Sequence, residues 1–189
     1  VNRFGRWPWD RGVLAEAIDR LDSSSLLILD MVFSEPTTND KQLSQSLYRQ
    51  DNSLCGFFLR QQASQRPSEA QLDLLSDSSL ERLATELGDK RTFIEAHEAE
   101  VNVGTILSSC TLSGTFSSLR DSDQLFRRYP LAFTYNNELY PSIGTQALRM
   151  ESNQDIAQVG EGLFSLAEHI VSTDKNGFAL LNFYPLDTY

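Results

Sequence analysis

Leu26-Leu27-Ile28-Leu29-Asp30-Met31-Val32-Phe33 is apolar on both of its alternating faces, the pattern of a strand covered on both sides in a parallel sheet. Before it, Val13, Leu14, Ala17, Ile18 and Leu21 recur at helical spacing, predicting an amphipathic helix that ends at Asp22-Ser23-Ser24. The pairing repeats behind it. A helix from Asp40 to Gln50 turns Leu43 and Leu47 inward and leads to a second apolar strand, Leu54-Cys55-Gly56-Phe57-Phe58-Leu59. Two helix-then-strand units in succession predict an α/β layer structure with parallel strands.

Further along, Ser68 and Gln71 have the spacing of a capping box, Leu72, Leu75, Leu80, Leu83 and Leu87 form an apolar stripe, and Gly88 is placed to stop it. This predicts a helical pair or a broken helix at the edge of the sheet. The second half reads as richer in strands: Val101-Asn102-Val103, then Leu131 to Tyr135 before the turn residues Asn136-Asn137, then a helix from Pro141 to about Met150. Asn176-Gly177 between His169-Ile170-Val171-Ser172 and the run Phe178 to Phe183 signals a hairpin. Thr105 to Ser122, rich in Ser and Thr, reads as an inserted loop or hairpin. The expected fold is therefore α/β, a mixed and partly parallel sheet flanked by helices with a C-terminal β-hairpin, in a single domain over residues 1–189.

Composition narrows the function classes. Twenty-six acidic against 16 basic residues leave a formal charge of −10, a poor match for a nucleic-acid backbone or an anionic bilayer. The longest uncharged stretch, Val101 to Leu119, is too crowded with Ser and Thr to cross a membrane at acceptable cost. No basic-then-apolar leader opens the given sequence, so the chain is read either as cytosolic or as a piece of something longer. Cys55 and Cys110 allow one disulfide, which would need their Cα atoms within about 7 Å. The plainer reading is one buried thiol and one loop thiol, and the pair does not decide the compartment.

Chemistry is sparse. His97 and His169 are the two histidines, neither in a catalytic or zinc-binding context, and both read as packing or surface residues. Gly160-Glu161-Gly162 imitates the start of a dinucleotide fingerprint, but Ser165 stands where the third glycine belongs. No catalytic group, metal site or cofactor motif can be assembled. Asp30 stands out as a carboxylate inside an apolar strand, with Glu35 and Pro36 just past its end. A desolvated carboxylate needs a partner, and Arg6 or Arg11 is the candidate. The bland reading is an ion pair that locks the first helix to the sheet. The sharper one is a ligand or metal contact at the carboxyl end of a parallel strand.

Gly5-Arg6-Trp7-Pro8-Trp9-Asp10-Arg11, a helix, then Leu29-Asp30-Met31-Val32-Phe33-Ser34-Glu35-Pro36 and a further helix from Asp40 closely resemble the second type of CHASE domain, a cyclase- and histidine-kinase-associated sensory extracellular domain. In that family a glycine-arginine-tryptophan-proline-tryptophan-x-arginine segment leads through a helix into a strand ending in aspartate, followed by phenylalanine, an acidic residue and proline. Weaker likenesses follow at Val101-Asn102-Val103, at Arg127 or Arg128 with Pro130-Leu131, at Tyr140-Pro141-Ser142, and at Asn176-Gly177 with Leu180 to Phe183. Only Val1 to Phe4 precede Gly5 where the family has a strand, and the family continues past the last hairpin into another strand and membrane helices, so the resemblance implies that both ends are trimmed.

The resemblance implies an extracytoplasmic sensor domain of a bacterial transmembrane receptor, on the periplasmic or extracellular side of the inner membrane and not itself an enzyme. Its output would be cyclic-nucleotide or cyclic-di-GMP turnover, or a kinase. The implied partners are a small-molecule or protein signal, the transmembrane helices of the same receptor and a second copy of the domain, with no cofactor, metal or nucleic acid. The signature residues Arg6, Trp7, Trp9, Arg11, Asp30 and Glu35 are the candidate ligand-binding positions. Trp7 and Trp9 fit core or helix packing first, though an aromatic pair beside arginines can hold an ion. A rival class is a soluble α/β enzyme or nucleotide-binding domain using Asp30 and Glu35. A third is an interaction module whose contact surface is Thr105 to Ser122.

Overall fold

The computed structural model describes residues 8–21, 26–60, 66–88 and 93–183. The described residues open with α1 (Arg11–Ile18), β1 (Leu27–Leu29), α2 (Asp40–Arg49) and β2 (Ser53–Arg60), the helix-strand alternation that the apolar pattern predicts. Then come α3 (Glu69–Ser76), α4 (Glu81–Leu87), β3 (Glu98–Glu100), the single turn α5 (Gly104–Leu107) and β4 (Leu112–Thr115). β2 is the centre of the main sheet: β1 and β4 flank it in parallel, and β3 pairs antiparallel with its carboxyl half. From Ser53 to Phe57 every residue of β2 is buried, so the strand covered on all sides is this one. Among the described residues β1 lies at the edge; it is three residues long and leaves Ile28 44% exposed.

Three features of this half depart from the expected ones. Thr105 to Ser122 is no inserted loop, because it supplies α5 and β4, and Ser113, Gly114 and Thr115 are buried. Small residues are needed there. A Cβ on Gly114 would lie 2.7 Å from the Cα of Ile143, and one on Gly56 across the ladder would fall inside the ring of Phe116. The buried face of α1 is also rotated from the one predicted: Arg11, Gly12, Ala15 and Ile18 face inward, while Ala17 and Leu21 are exposed. Val101-Asn102-Val103 follows the short strand β3 instead of forming it.

The remaining strands are antiparallel. β5 (Arg128–Pro130) pairs with β11 (Phe178–Leu180), and β6 (Ala132–Tyr135) with β7 (Glu138–Pro141) through Asn136 and Asn137, both at positive φ. After α6 (Ile143–Ser152), β8 (Ala157–Gly160), β9 (Leu163–Leu166) and β10 (His169–Ser172) make a meander. The Asn176-Gly177 turn is closed by Gly177 N–H donating to Asp174 O at 3.0 Å, with one antiparallel bridge from Thr173 to Ala179. Gly177 has a φ of +77°, and a Cβ there would strike the ring of Phe93.

Among the described residues the core has three parts. Ala15, Ile18, Leu43, Leu47 and Ile106 pack with Leu29 and Cys55 between the first helices and the sheet. Phe57, Leu75, Phe133 and Tyr140 form a second cluster, and Leu83, Leu139, Ile156 and Phe164 belong to a third. Cys55 on β2 and Cys110 just before β4 are joined by a disulfide with Cα atoms 5.9 Å apart, replacing the expectation of two separate thiols.

Candidate functional site

The joint that holds α1 to α2 is built from short-range capping. The Asp10 carboxylate accepts from Gly12 N–H at 2.7 Å and so caps α1, and the Asn39 side-chain amide donates to the same carboxylate at 2.7 Å. One residue on, Arg11 projects into the space between the helices and is 8% exposed. Its guanidinium pairs with Asp40 at the start of α2, donates to the backbone carbonyl of Glu35 and lies over the ring of Phe33, 4.9 Å from the centroid. Asp40 is also buried, and accepts further from the Thr37 hydroxyl at 2.7 Å and the Thr37 amide at 3.0 Å. Both charges are thus desolvated but richly bonded, the condition under which a buried pair is tolerated. Burial lowers the pKa of Arg11 from its ordinary value, an effect partly offset by the charge of Glu35.

The loop after β1 is pinned on its other side by Asn102, 1% exposed. Its side chain accepts from Phe33 N–H at 2.8 Å and donates to Gly56 O at 3.0 Å, while Val103 N–H donates to Phe33 O at 2.8 Å. Met31 to Glu35 is therefore anchored to α1 by Arg11 and to β2 by Asn102.

Between this loop and the Pro8–Arg11 segment opens a cleft of about 450 Å³. It brings Trp9, Arg11 and Glu35 together with Met31 and Phe33, whereas Asp30 does not line it. Asp30 lies just past β1 and is exposed, so it is not the desolvated carboxylate that the sequence suggested, and the partner of Arg11 is Asp40. Arg6 and Trp7 lie outside the described residues. Two larger clefts, of about 810 and 680 Å³, lie over α4 and beside the β8–β9 turn. Gly160-Glu161-Gly162 spans that turn between antiparallel strands, so the likeness to a dinucleotide fingerprint has no helix behind it. His97 and His169 are both exposed. Among the described residues no group of three or more His, Cys, Asp or Glu is disposed to hold a metal ion, and no helix is long and apolar enough to cross a membrane.

Those residues of the Gly5–Asp40 signature that meet in this joint, among them Arg11, Phe33, Glu35 and Asp40, are a small part of the likeness: the family model for the CHASE2 domain matches residues 1–189. The chain belongs to the CHASE2 family. No curated protein and no solved structure matches it. CHASE2 domains are extracellular sensory domains of receptors associated with cyclases and kinases, and they are not catalytic modules.

Two residues that organise this CHASE2 joint were not among the candidates. Asp40 was legible only as the start of a helix, although Thr37-Thr38-Asn39-Asp40 places an acid three residues after a threonine, the spacing of a capping box. Asn102 carried a fainter signal, a lone amide between two valines.

Proposed function

We propose that this CHASE2 domain is the extracytoplasmic input module of a bacterial transmembrane receptor, placed on the periplasmic or extracellular side of the inner membrane. The observation that carries this placement, beyond family membership, is the Cys55–Cys110 disulfide between β2 and the residue leading into β4. Structural disulfides persist in oxidising compartments and are rare in a reducing cytosol. The output is cyclic-nucleotide or cyclic-di-GMP turnover or a kinase, encoded elsewhere in the receptor. The signal is a small molecule or protein that binds one arrangement of the domain better than another, and the difference passes to transmembrane helices of the same receptor. A symmetric pair of domains is the natural device for that transfer.

The test is the sequence of the intact gene on both sides of Val1 and Tyr189. Hydrophobic spans of about 20 residues flanking this region and leading to a signalling domain support the reading. Their absence on both sides overturns it.

A further inference from the structure

An arginine beside two aromatic residues in a cleft invites an anionic ligand, and the geometry around Arg11 argues otherwise. Its guanidinium is committed to Asp40, to the Glu35 carbonyl and to the Phe33 ring, and Asp40 balances its charge. The other polar side chains on the wall are also engaged: Thr37 with Asp40, Asp10 with Asn39 and Gly12, and Ser34 with Glu100 at 3.3 Å. Glu35 is exposed on the same wall, and among the described residues no ion pair takes its carboxylate. The apolar part of the lining includes Trp9, 40% exposed, with Met31 and Phe33. A cleft of about 450 Å³ is within the size range of small-molecule sites, and among the described residues this one offers aromatic surface, the Glu35 carboxylate and a single cation, Arg11, that Asp40 neutralises.

We propose that the cleft between Pro8–Arg11 and Met31–Glu35 binds a compact organic cation, an amine or quaternary ammonium carried on an apolar body. The cationic head lies between Glu35 and the Trp9 ring, whose negative face favours a cation, and the apolar body lies along Met31 and Phe33. The proposal rests on the sensory reading above and names the ligand class of that site. Binding there would bear on the loop that Arg11 and Asn102 tie to α1 and β2, giving the ligand a route to the sheet.

The experiment titrates the purified 189-residue domain with phenyltrimethylammonium, benzyl alcohol and benzoate, three probes of similar ring and different charge, followed by calorimetry and tryptophan fluorescence. The expected result is saturable binding of phenyltrimethylammonium, with both other probes at least about tenfold weaker, and a loss of about tenfold or more in Glu35→Gln. Glu35 is exposed, so that variant is expected to keep its fold, which urea unfolding checks; Trp9→Leu gives a second reading of the aromatic wall. The proposal is overturned if phenyltrimethylammonium does not saturate the domain, if benzoate binds as well or better, or if Glu35→Gln binds it as tightly as the parent. Any of these outcomes with membrane spans present in the gene removes the ligand class and leaves the receptor reading standing.

Discussion

Arg11 in the first turn of α1 and Asp40 in the first turn of α2 form an ion pair across 29 residues of sequence, with side chains only 9% and 11% exposed. The pair sets how the two helices meet and where the loop after β1 can run. Removing one partner leaves the other charge buried and unpaired, which typically costs about 3–5 kcal/mol. Arg11→Met and Asp40→Asn are each expected to lower stability on that scale in urea unfolding. The double variant should recover much of the loss, and strictly additive losses would show that the two residues do not act as a pair.

Asn102→Ala removes the acceptor of Phe33 N–H and the donor to Gly56 O together. Leaving buried backbone groups unbonded costs about 1–3 kcal/mol each, so a loss of at least about 2 kcal/mol is expected. Asn102→Asp keeps the acceptor and loses the donor, and should not rescue the domain. Wild-type stability in either variant would remove Asn102 from its pinning role.

Gly114→Ala probes β4. The added methyl meets the backbone of Ile143, which cannot swing aside as a side chain can, so α6 must shift from the sheet. Overpacking of this kind costs about 1–3 kcal/mol. Deleting Thr105 to Ser122 should abolish folding outright, since it removes β4 and Cys110. A deletion variant with a native circular dichroism spectrum would return that segment to the status of an insertion.

The parts of the fold that were legible are those where local chemistry and tertiary context agree. The Ser68/Gln71 capping box is present, with Gln71 N–H donating to the Ser68 hydroxyl at 3.3 Å. Gly88 ends α4 at a φ of +50°, and the Asn136-Asn137 and Asn176-Gly177 turns fall where their φ preferences put them. β4 was missed because apolar patterning cannot reveal a strand whose interior positions are Ser113, Gly114 and Thr115. Close approach to α6 excludes large side chains, and buried polar groups are bonded instead, as where Ser113 N–H donates to the Ser78 hydroxyl at 2.7 Å. At the site, Trp9, Arg11 and Glu35 were legible as a group. Choosing Asp40 over Asp30 as the partner of Arg11 required knowing that β1 ends at Leu29 and leaves Asp30 in solvent.

Acid should loosen the C-terminal turn. Burial opposes ionisation of Asp174, yet the amides of Phe178 and Asn176 and the Arg128 guanidinium outweigh it and hold the carboxyl below its ordinary range. A group depressed in the folded state contributes stability above its unfolded pKa of about 3.9, and loses it as the pH falls through the lower folded value. Asp174→Asn should therefore destabilise the domain at pH 7 and converge on the parent toward the acid end of a pH–stability profile. Parallel profiles would contradict this role.

The most direct measurement of extracytoplasmic placement is the thiol state of Cys55 and Cys110 in cells. The chain entropy of a loop spanning 55 residues makes the bridge worth about 4 kcal/mol, so reduction should also lower the urea midpoint sharply. The intact gene product is expressed in its own membrane, thiols are trapped in acid, and the sample is treated with a maleimide polymer with and without prior reduction. The account predicts that neither cysteine is labelled until a reductant is added. Both cysteines labelled without reduction would contradict it.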